Sequence, residues 1–296
     1  MNKLLSDHRP QTTDHSRYHG LEEQLERVKA LLVGFGRVVV AFSGGVDSTL
    51  LAKLTRDALG RADALAVTAD SPSLASEDLE ETCRLATLLD LEHCVIRTQE
   101  VDNPLYRANT KARCYICKGE LFDALDLLAR ERGISTVLYG AIGDDQLSER
   151  PGQRAANERG VRAPLQEAGF QKWEVRELAR LLGLPNWNRP QNACLSSRIS
   201  HGEEVTESKL KQIEEAEAFL RAHGFVQVRV RHKGRHARIE VDADEVSRFQ
   251  DTTLCTAVAR YFESLGFATV GVDHTGYRPG GADKILGDEL ELKVES

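Results

Sequence analysis

The stretch Val38-Val-Val-Ala-Phe-Ser-Gly-Gly-Val-Asp-Ser-Thr-Leu50 decides how the rest of the chain is read. Its opening is apolar, β-branched and short enough for a strand buried on both faces. Ser43-Gly44-Gly45 is a turn, and two glycines let the backbone bend tightly and approach a ligand with no Cβ in the way. From Asp47 onward, Leu50, Leu51 and Leu54 recur at helical spacing, so a helix opens at the loop. A strand, a Gly-rich loop and a helix N-terminus together make an anion site. The first-turn N–H groups point at the ligand, and the helix dipole favours negative charge. A phosphate fits there. The commoner phosphate loop, G-x-x-x-x-G-K-[ST], carries a lysine after its second glycine, and this stretch has none.

At 296 residues the chain exceeds the usual single-domain size, so two domains are expected. Hydrophobic content of 41% and charged content of 29% describe a globular protein with enough apolar material for a core. No run approaches the roughly 18 apolar residues of a membrane span. Met1 to Gly20 is polar and histidine-bearing, without the apolar region of a signal peptide, and reads as a frayed tail. A net charge of −7 argues against a broad nucleic-acid surface. Six cysteines without a secretory signal point to a reducing compartment, hence a cytoplasmic protein.

Outward from the loop, the pattern alternates. Leu21, Leu25, Val28 and Leu32 lie on one face of a helix ending near Gly34-Phe-Gly36. Ala64–Ala69 reads as a second buried strand, Ser76 to about Leu89 as a helix with an acidic first turn, and Glu92–Arg97 as a third strand. A helix is expected over Gly119–Arg132 and a fourth strand over Thr136–Tyr139, closed by Gly140. Strands alternating with helices imply an α/β fold, a doubly wound parallel sheet with ligands at the carboxyl ends of its strands. Gly140-Ala-Ile-Gly-Asp-Asp145 should face the same crevice. Its paired carboxylates suit Mg²⁺ or form an ordinary polar turn. Residues 150–192 form a less regular connection with a short helix around Trp173–Leu182. From Thr206 the pattern changes: a helix over Glu207–His223, strands Phe225–Arg231 and His236–Val241, helices near Ala243–Gln250 and Leu254–Leu265, and a strand Thr269–Asp273. The expected division is a tail over 1–20, a nucleotide domain over 21–200 and a smaller C-terminal α+β domain over 201–296.

Cys114 and Cys117 form Arg-Cys-Tyr-Ile-Cys-Lys118, and Cys194 lies in Asn-Ala-Cys-Leu-Ser-Ser-Arg198. Cys-x-x-Cys brings two sulfurs within reach of one metal or of each other, and the basic neighbours favour thiolates. Three readings compete: a redox pair, which would need the motif at the first βα turn of its own fold rather than deep in a nucleotide domain, a structural zinc with His201 as fourth ligand, and an iron–sulfur cluster on three cysteines. Cys83, Cys94 and Cys255 lack such context and read as buried thiols.

Ser43-Gly-Gly-Val-Asp-Ser-Thr49 resembles the PP-loop of the ATP pyrophosphatases, the superfamily of GMP synthetase, NAD synthetase and the tRNA thiolases. That resemblance implies ATP contacts at Ala41, Ser43, Gly44, Gly45, Asp47, Ser48, Thr49, Thr68 and Gly140. The ordered set of the loop, Arg-Cys-Tyr-x-Cys-Lys, Cys-Leu-Ser-Ser-Arg, Arg229-Val-Arg231, Ala237-Arg-Ile-Glu240 and Gly276-Tyr-Arg278 is similar to the LarE family, from roughly residue 20 to 280. These ATP-dependent sulfur transferases mature the nickel-pincer cofactor of lactate racemase. The family substrate is pyridinium-3,5-biscarboxylic acid mononucleotide, whose carboxylate is adenylated before sulfur displaces AMP. One branch sacrifices the sulfur of a single cysteine, here matching Cys194. The other holds a [4Fe–4S] cluster on three cysteines, matching Cys114, Cys117 and Cys194.

The chemistry implied fits the residue types. Mg²⁺ would sit near Asp47, with Asp144, Asp145 and Glu240 as further candidates. Lys118, Ser197, Arg198, Arg229, Arg231 and Arg278 are the candidate cradle for an anionic mononucleotide. Strand alternation puts Arg229 and Arg231 on one face, where solvent exposure is the plainer reading. Glu240 would bind metal or pair with an arginine. A homo-oligomer is expected, together with sulfur-donor and cofactor-maturation partners. A PP-loop tRNA thiolase is the alternative enzyme, set back by the acidic balance and the lack of an RNA module. A non-catalytic nucleotide-binding metal carrier is the alternative from another class.

Overall fold

The computed structural model describes residues 15–146, 151–190, 193–278 and 289–292. They form two compact units. The first takes the chain up to Ser71, then Ser76–Thr98 and the stretch from Cys114 to residue 190; the second takes Pro72–Ala75, Gln99–Arg113 and the stretch from Ala193 onward. A single boundary near residue 200 was the expectation; two short excursions from the amino-terminal half instead join the second unit. Hydrogen bonds explain why. Tyr106 Oη lies 2.6 Å from Ser196 Oγ, Asn109 Nδ2 donates to the carbonyls of Ser200 and Glu203, and Leu195 N–H donates to Ser73 O. Such side-chain links between distant segments leave no periodicity to read.

The first unit opens with α1 (His15–Phe35), followed by β1 (Val38–Ala41), α2 (Val46–Leu59) and β2 (Ala64–Asp70). Then come α3 (Ser76–Leu88), β3 (Glu92–Arg97), α4 (Arg113–Glu131) and β4 (Thr136–Leu138), and finally α5 (Pro151–Glu158) and α6 (Lys172–Leu181). The first helix starts before Leu21, inside the expected tail; residues 1–14 lie outside the described residues. The strands pair in parallel, in the order β3-β2-β1-β4. Both neighbours of β1 are therefore parallel to it, and the chain reverses its direction of winding between β1 and β4. That is the switch point where an open α/β sheet leaves a crevice beyond its carboxyl ends.

The run of valines in β1 is apolar throughout because both faces are covered. Val38 and Val40 pack with Leu25, Val28 and Leu32 of α1 and Leu50, Leu51 and Leu54 of α2. Val39 packs with Leu65 and Val67 on the other face, against Phe122, Leu125 and Ala129 of α4. Helix α4 begins at Arg113, before the expected Gly119. Gly119 is not an N-terminal signal but a point of close approach, since a Cβ there would lie 2.9 Å from the Arg159 guanidinium. Cys114 and Cys117 consequently sit within the first five residues of the helix.

The second unit contains α7 (Glu207–Ala222), β5 (Val228–Lys233), β6 (His236–Val241), α8 (Thr252–Ser264), β7 (Thr269–Asp273) and β8 (Glu289–Leu292). The order is β5-β6-β7-β8, antiparallel at both ends and parallel between β6 and β7. Strand β8 was not anticipated, and the segment expected as a strand from Phe225 joins the sheet only at Val228. Phe225 instead stacks on Phe249, 5.1 Å between ring centres. One sheet face is core: Val228, Val230, Ile239, Val241 and Val272 against Leu220, Phe262 and Phe267. Alternation sends Arg229, Arg231, Arg238, Glu240 and Asp273 to the other face, and all five are buried.

Buried charge persists only where it is paired. Arg231 bonds Glu240 at 2.8 Å, Arg238 bonds Asp273, and Arg198, 2% exposed, bonds Glu217 of α7 at 2.9 Å. Glu217 Oε1 also accepts from Val230 N–H at 3.0 Å, tying helix to strand. Glu217→Ala removes the carboxylate and keeps the guanidinium buried, so it should lower unfolding stability by about 3–5 kcal/mol. Urea denaturation measures this, and a loss under 1 kcal/mol would contradict the pairing.

Candidate active site

The loop after β1 does what its glycines imply. Gly44 has φ of +68°, and a Cβ on it would lie 2.3 Å from Thr82 Oγ1, so only glycine fits. Ser48 Oγ donates to Gly45 O at 3.0 Å and accepts from Ser43 N–H at 3.2 Å, closing the turn on the helix. The N–H groups of Gly44, Gly45, Val46 and Asp47 make no hydrogen bond among the described residues. They are the unsatisfied donors of a helix start, and they suit an anion.

Gly140, at the end of the neighbouring strand, packs on that same helix start. A Cβ there would come 2.8 Å from Ser48 N and 3.0 Å from Asp47 C, both backbone atoms that cannot swing aside. Two strand ends thus meet at one point, as the switch in strand order requires. Ala41 ends β1 there, half-buried. Two other expected contacts are used differently. Thr68 Oγ1 donates to Phe42 O at 2.8 Å and lies 2.8 Å from His93 Nε2, so its hydroxyl braces the sheet. Thr49 is fully buried, and its hydroxyl accepts from Asn186 Nδ2 at 2.9 Å.

A lysine does reach this loop, from 125 residues away. Lys172 Nζ, at the start of α6, bonds both carboxylate oxygens of Asp47, at 2.7 and 2.8 Å. Its backbone N–H donates to Asp144 Oδ2 at 2.8 Å, while Asp145 Oδ2 accepts from Ile142 N–H at 3.2 Å. Burial pushes the Asp47 carboxyl above the ordinary range; Lys172 opposes that rise and the charge of Asp145 adds to it. The lysine was missed because nothing in Gln-Lys-Trp-Glu distinguishes it from a solvated first-turn residue.

In the second unit the arginines are more deeply engaged than an open cradle would be. Arg198 donates from Nη1 to the carbonyls of Ala193 and Cys194 and to Ser197 Oγ, the Cys194 contact being 2.8 Å. It braces the turn that carries Cys194. Arg231 holds Glu240 and donates to Ser197 O at 3.1 Å. Glu240 is paired with Arg231 here, which is one of the two readings offered for it. Arg229 donates to Val228 O at 2.7 Å with its guanidinium 5.3 Å from the Tyr277 ring. Burial first, then the positive charges of Arg198 and Arg231, depress its pKa. Arg278 is exposed and bonds Thr275 Oγ1 at 2.7 Å.

The chain from residue 20 to 143 matches the NAD synthase family model, which spans the loop and both meeting strands. Over 257 residues it is 38% identical to pyridinium-3,5-bisthiocarboxylic acid mononucleotide synthase of Lactiplantibacillus plantarum, covering 87% of this chain and 92% of that protein. The chain belongs to the LarE family. It is an ATP-dependent sulfur transferase with a PP-loop nucleotide domain. It is also 43% identical to an uncharacterised Synechocystis protein, over 90% of this chain and 99% of that one.

Cys114 is exposed and Cys117 half-buried, three residues apart near the start of α4; Cys194 is exposed at the head of the turn Leu195–Arg198. Lys118 is exposed, its ammonium 5.9 Å from the Phe122 ring centre. Among the described residues no three His, Cys, Asp or Glu side chains gather as a metal site. Burial raises the Cys94 and Cys255 thiols, as befits packing residues.

Two outcomes test this geometry. Gly140→Ala should weaken ATP binding by at least about tenfold through the clash with the helix start, measured by calorimetric titration. Lys172→Met removes the charge opposing burial, so the Asp47 carboxyl should titrate at still higher pH by NMR. A lower Asp47 pKa in that variant would refute the pairing.

Proposed function

We propose that this protein adenylates a carboxylate of pyridinium-3,5-biscarboxylic acid mononucleotide and replaces AMP by sulfur, in biosynthesis of the nickel-pincer cofactor of lactate racemase. The observation carrying this reading is a bare set of loop N–H groups in a chain aligned nearly end to end with a bisthiocarboxylic acid mononucleotide synthase. A carboxylate is a poor electrophile, and its activation needs a better leaving group. A substrate carboxylate oxygen attacks the α-phosphorus of ATP, the α–β phosphoanhydride bond breaks, and pyrophosphate departs into the loop. Donors aimed at the departing charge stabilise it. Sulfur then adds to the acyl carbon, the carbon–oxygen bond to AMP breaks, and a thiocarboxylate results.

Magnesium fits the donor set, because Asp47, Asp144 and Asp145 offer hard oxygens. Mg²⁺ keeps waters and takes phosphate oxygens as ligands, so it does not require a cage of three protein groups. It would offset phosphate charge. Asp47 would exchange Lys172 for the ion, leaving the ammonium for phosphate oxygens. Lys118, Ser197, Arg198, Arg229, Arg231 and Arg278 are proposed around the anionic mononucleotide, as guanidinium and ammonium donors suit its carboxylates and phosphate.

The sulfur is proposed to travel on a [4Fe–4S] cluster bound by Cys114, Cys117 and Cys194, which would supply sulfide from its open iron. Cysteine is the ligand type such clusters take, and Cys114 and Cys194 are exposed. The exposure of Cys194, with Arg198 fixing its carbonyl, favours a second reading in which Cys194 surrenders its own sulfur. A cytoplasmic homo-oligomer served by a sulfur-donor partner completes the proposal. No helix among the described residues is long and apolar enough to cross a membrane.

Protein purified without oxygen should contain about four irons per chain, lost in Cys194→Ala, and should release pyrophosphate when given ATP and the biscarboxylate mononucleotide. An iron-free protein that still transfers sulfur, with Cys194 converted to dehydroalanine by mass, would replace the cluster with the sacrificial route. Absence of pyrophosphate release would remove both.

A further inference from the structure

We propose that Asn186 is the positioning residue of the nucleotide loop, holding the Gly44 carbonyl inward so that the Gly45 N–H faces the pyrophosphate of ATP. The proposal rests on the ATP-dependent reading of this site. Asn186 belongs to Leu184-Pro-Asn-Trp187, a stretch that carries no recognisable motif and that the chemistry above does not use.

In a planar trans peptide the carbonyl and the following N–H point in opposite directions, and no described peptide is cis. Three consecutive loop carbonyls are held from within the protein. Ser43 O accepts from Thr82 Oγ1, Gly44 O from Asn186 Nδ2 at 2.9 Å, and Gly45 O from Thr49 N–H at 2.9 Å and Ser48 Oγ at 3.0 Å. The N–H groups of Gly44, Gly45 and Val46 must then face the other way, together, which is the arrangement of an anion-binding nest.

These three anchors differ in strength. Gly45 O is held by residues of α2 itself, as in any helix start. Thr82 Oγ1 lies 3.4 Å from Ser43 O and 2.7 Å from Asp78 O, so its single proton is shared and holds Ser43 O only weakly. Gly44 O has no such local support. Gly44 sits at φ +68°, in the most freely rotating residue type, so its peptide is the one most easily turned. Turned over, it would present a carbonyl oxygen to the phosphates. Asn186, 4% exposed, prevents this from 142 positions along the chain.

Only a primary amide suits the position. Its NH₂ has two donors, and both are used, on Gly44 O and Thr49 Oγ1 at 2.9 Å each. Its Oδ1 is buried and without a partner among the described residues. A residue kept for packing alone would avoid that unfavourable oxygen. The donors are what the site retains.

The test is calorimetric titration of wild-type protein, Asn186→Leu and Asn186→Asp with MgATP, magnesium pyrophosphate and AMP, alongside their melting temperatures. Both variants should lose about tenfold or more in affinity for ATP and pyrophosphate. Asn186→Asp should lose most, because its carboxylate repels the Gly44 carbonyl. AMP, which lacks the gripped phosphates, should bind within about twofold of wild type. Unchanged ATP and pyrophosphate binding in the variants overturns the proposal. So does a parallel loss of AMP binding, which marks a general loosening of the fold. Should either variant not fold, Thr49→Val removes the acceptor that orients the amide, and the same pattern is expected at smaller size. Wild-type protein that binds neither ATP nor pyrophosphate overturns the functional reading, and this proposal with it.

Discussion

A row of backbone N–H groups must stay bare while everything around them is packed, and the first unit is arranged to allow that contradiction. Unsatisfied donors normally cost free energy. Here they stand at a helix start beyond the carboxyl ends of two parallel strands, where a ligand completes them. The parallel order around β1, the glycine at the end of β4 and the inward-held carbonyls of the loop all follow from keeping those donors open. Substituting a side chain at Gly44 or Gly140 fills the space from behind and deforms the site before any ligand arrives.

The second unit obeys a different constraint. Its sheet presents apolar residues to two helices and charged ones to the opposite face, as alternation dictates, yet the charged face is buried too. It is stable because each guanidinium has an oxygen within reach: Arg231 with Glu240, Arg238 with Asp273, Arg198 with Glu217 and the carbonyls beside Cys194. The pairing makes that turn rigid through electrostatics rather than apolar packing. Burial and the positive charges of Arg198 and Arg231 depress the Arg229 pKa, with the charge of Glu217 opposing.

Much of this was legible in the chain because local rules decide local structure. Strand β1, the loop and α2 follow from a valine run, two glycines and a leucine repeat. Strands His236–Val241 and Thr269–Asp273 stand where alternation placed them. The failures share one cause. Helix α4 was begun too late because Gly119 was read as a boundary, when it lies within the helix beside the guanidinium of Arg159, just past α5. Thr49 takes its place in the motif, but nothing in the sequence signals that its hydroxyl meets Asn186. The pairing of Glu240 with Arg231 is one of two readings that spacing left open.

What the sequence determined by itself is the chemistry: a phosphate loop without its own lysine, a Cys-x-x-Cys with a distant third cysteine, and arginines in alternation on a strand. These are properties of neighbours along the chain, within reach of a turn or a strand repeat. What only the tertiary structure decided is which distant side chain each group meets. Lys172 on Asp47, Asn186 on Gly44 and Glu217 on Arg198 join positions with no fixed spacing between them. Hydrogen bonds and ion pairs act over about 3 Å of space, whatever the length of chain between their partners, so no periodicity can announce them.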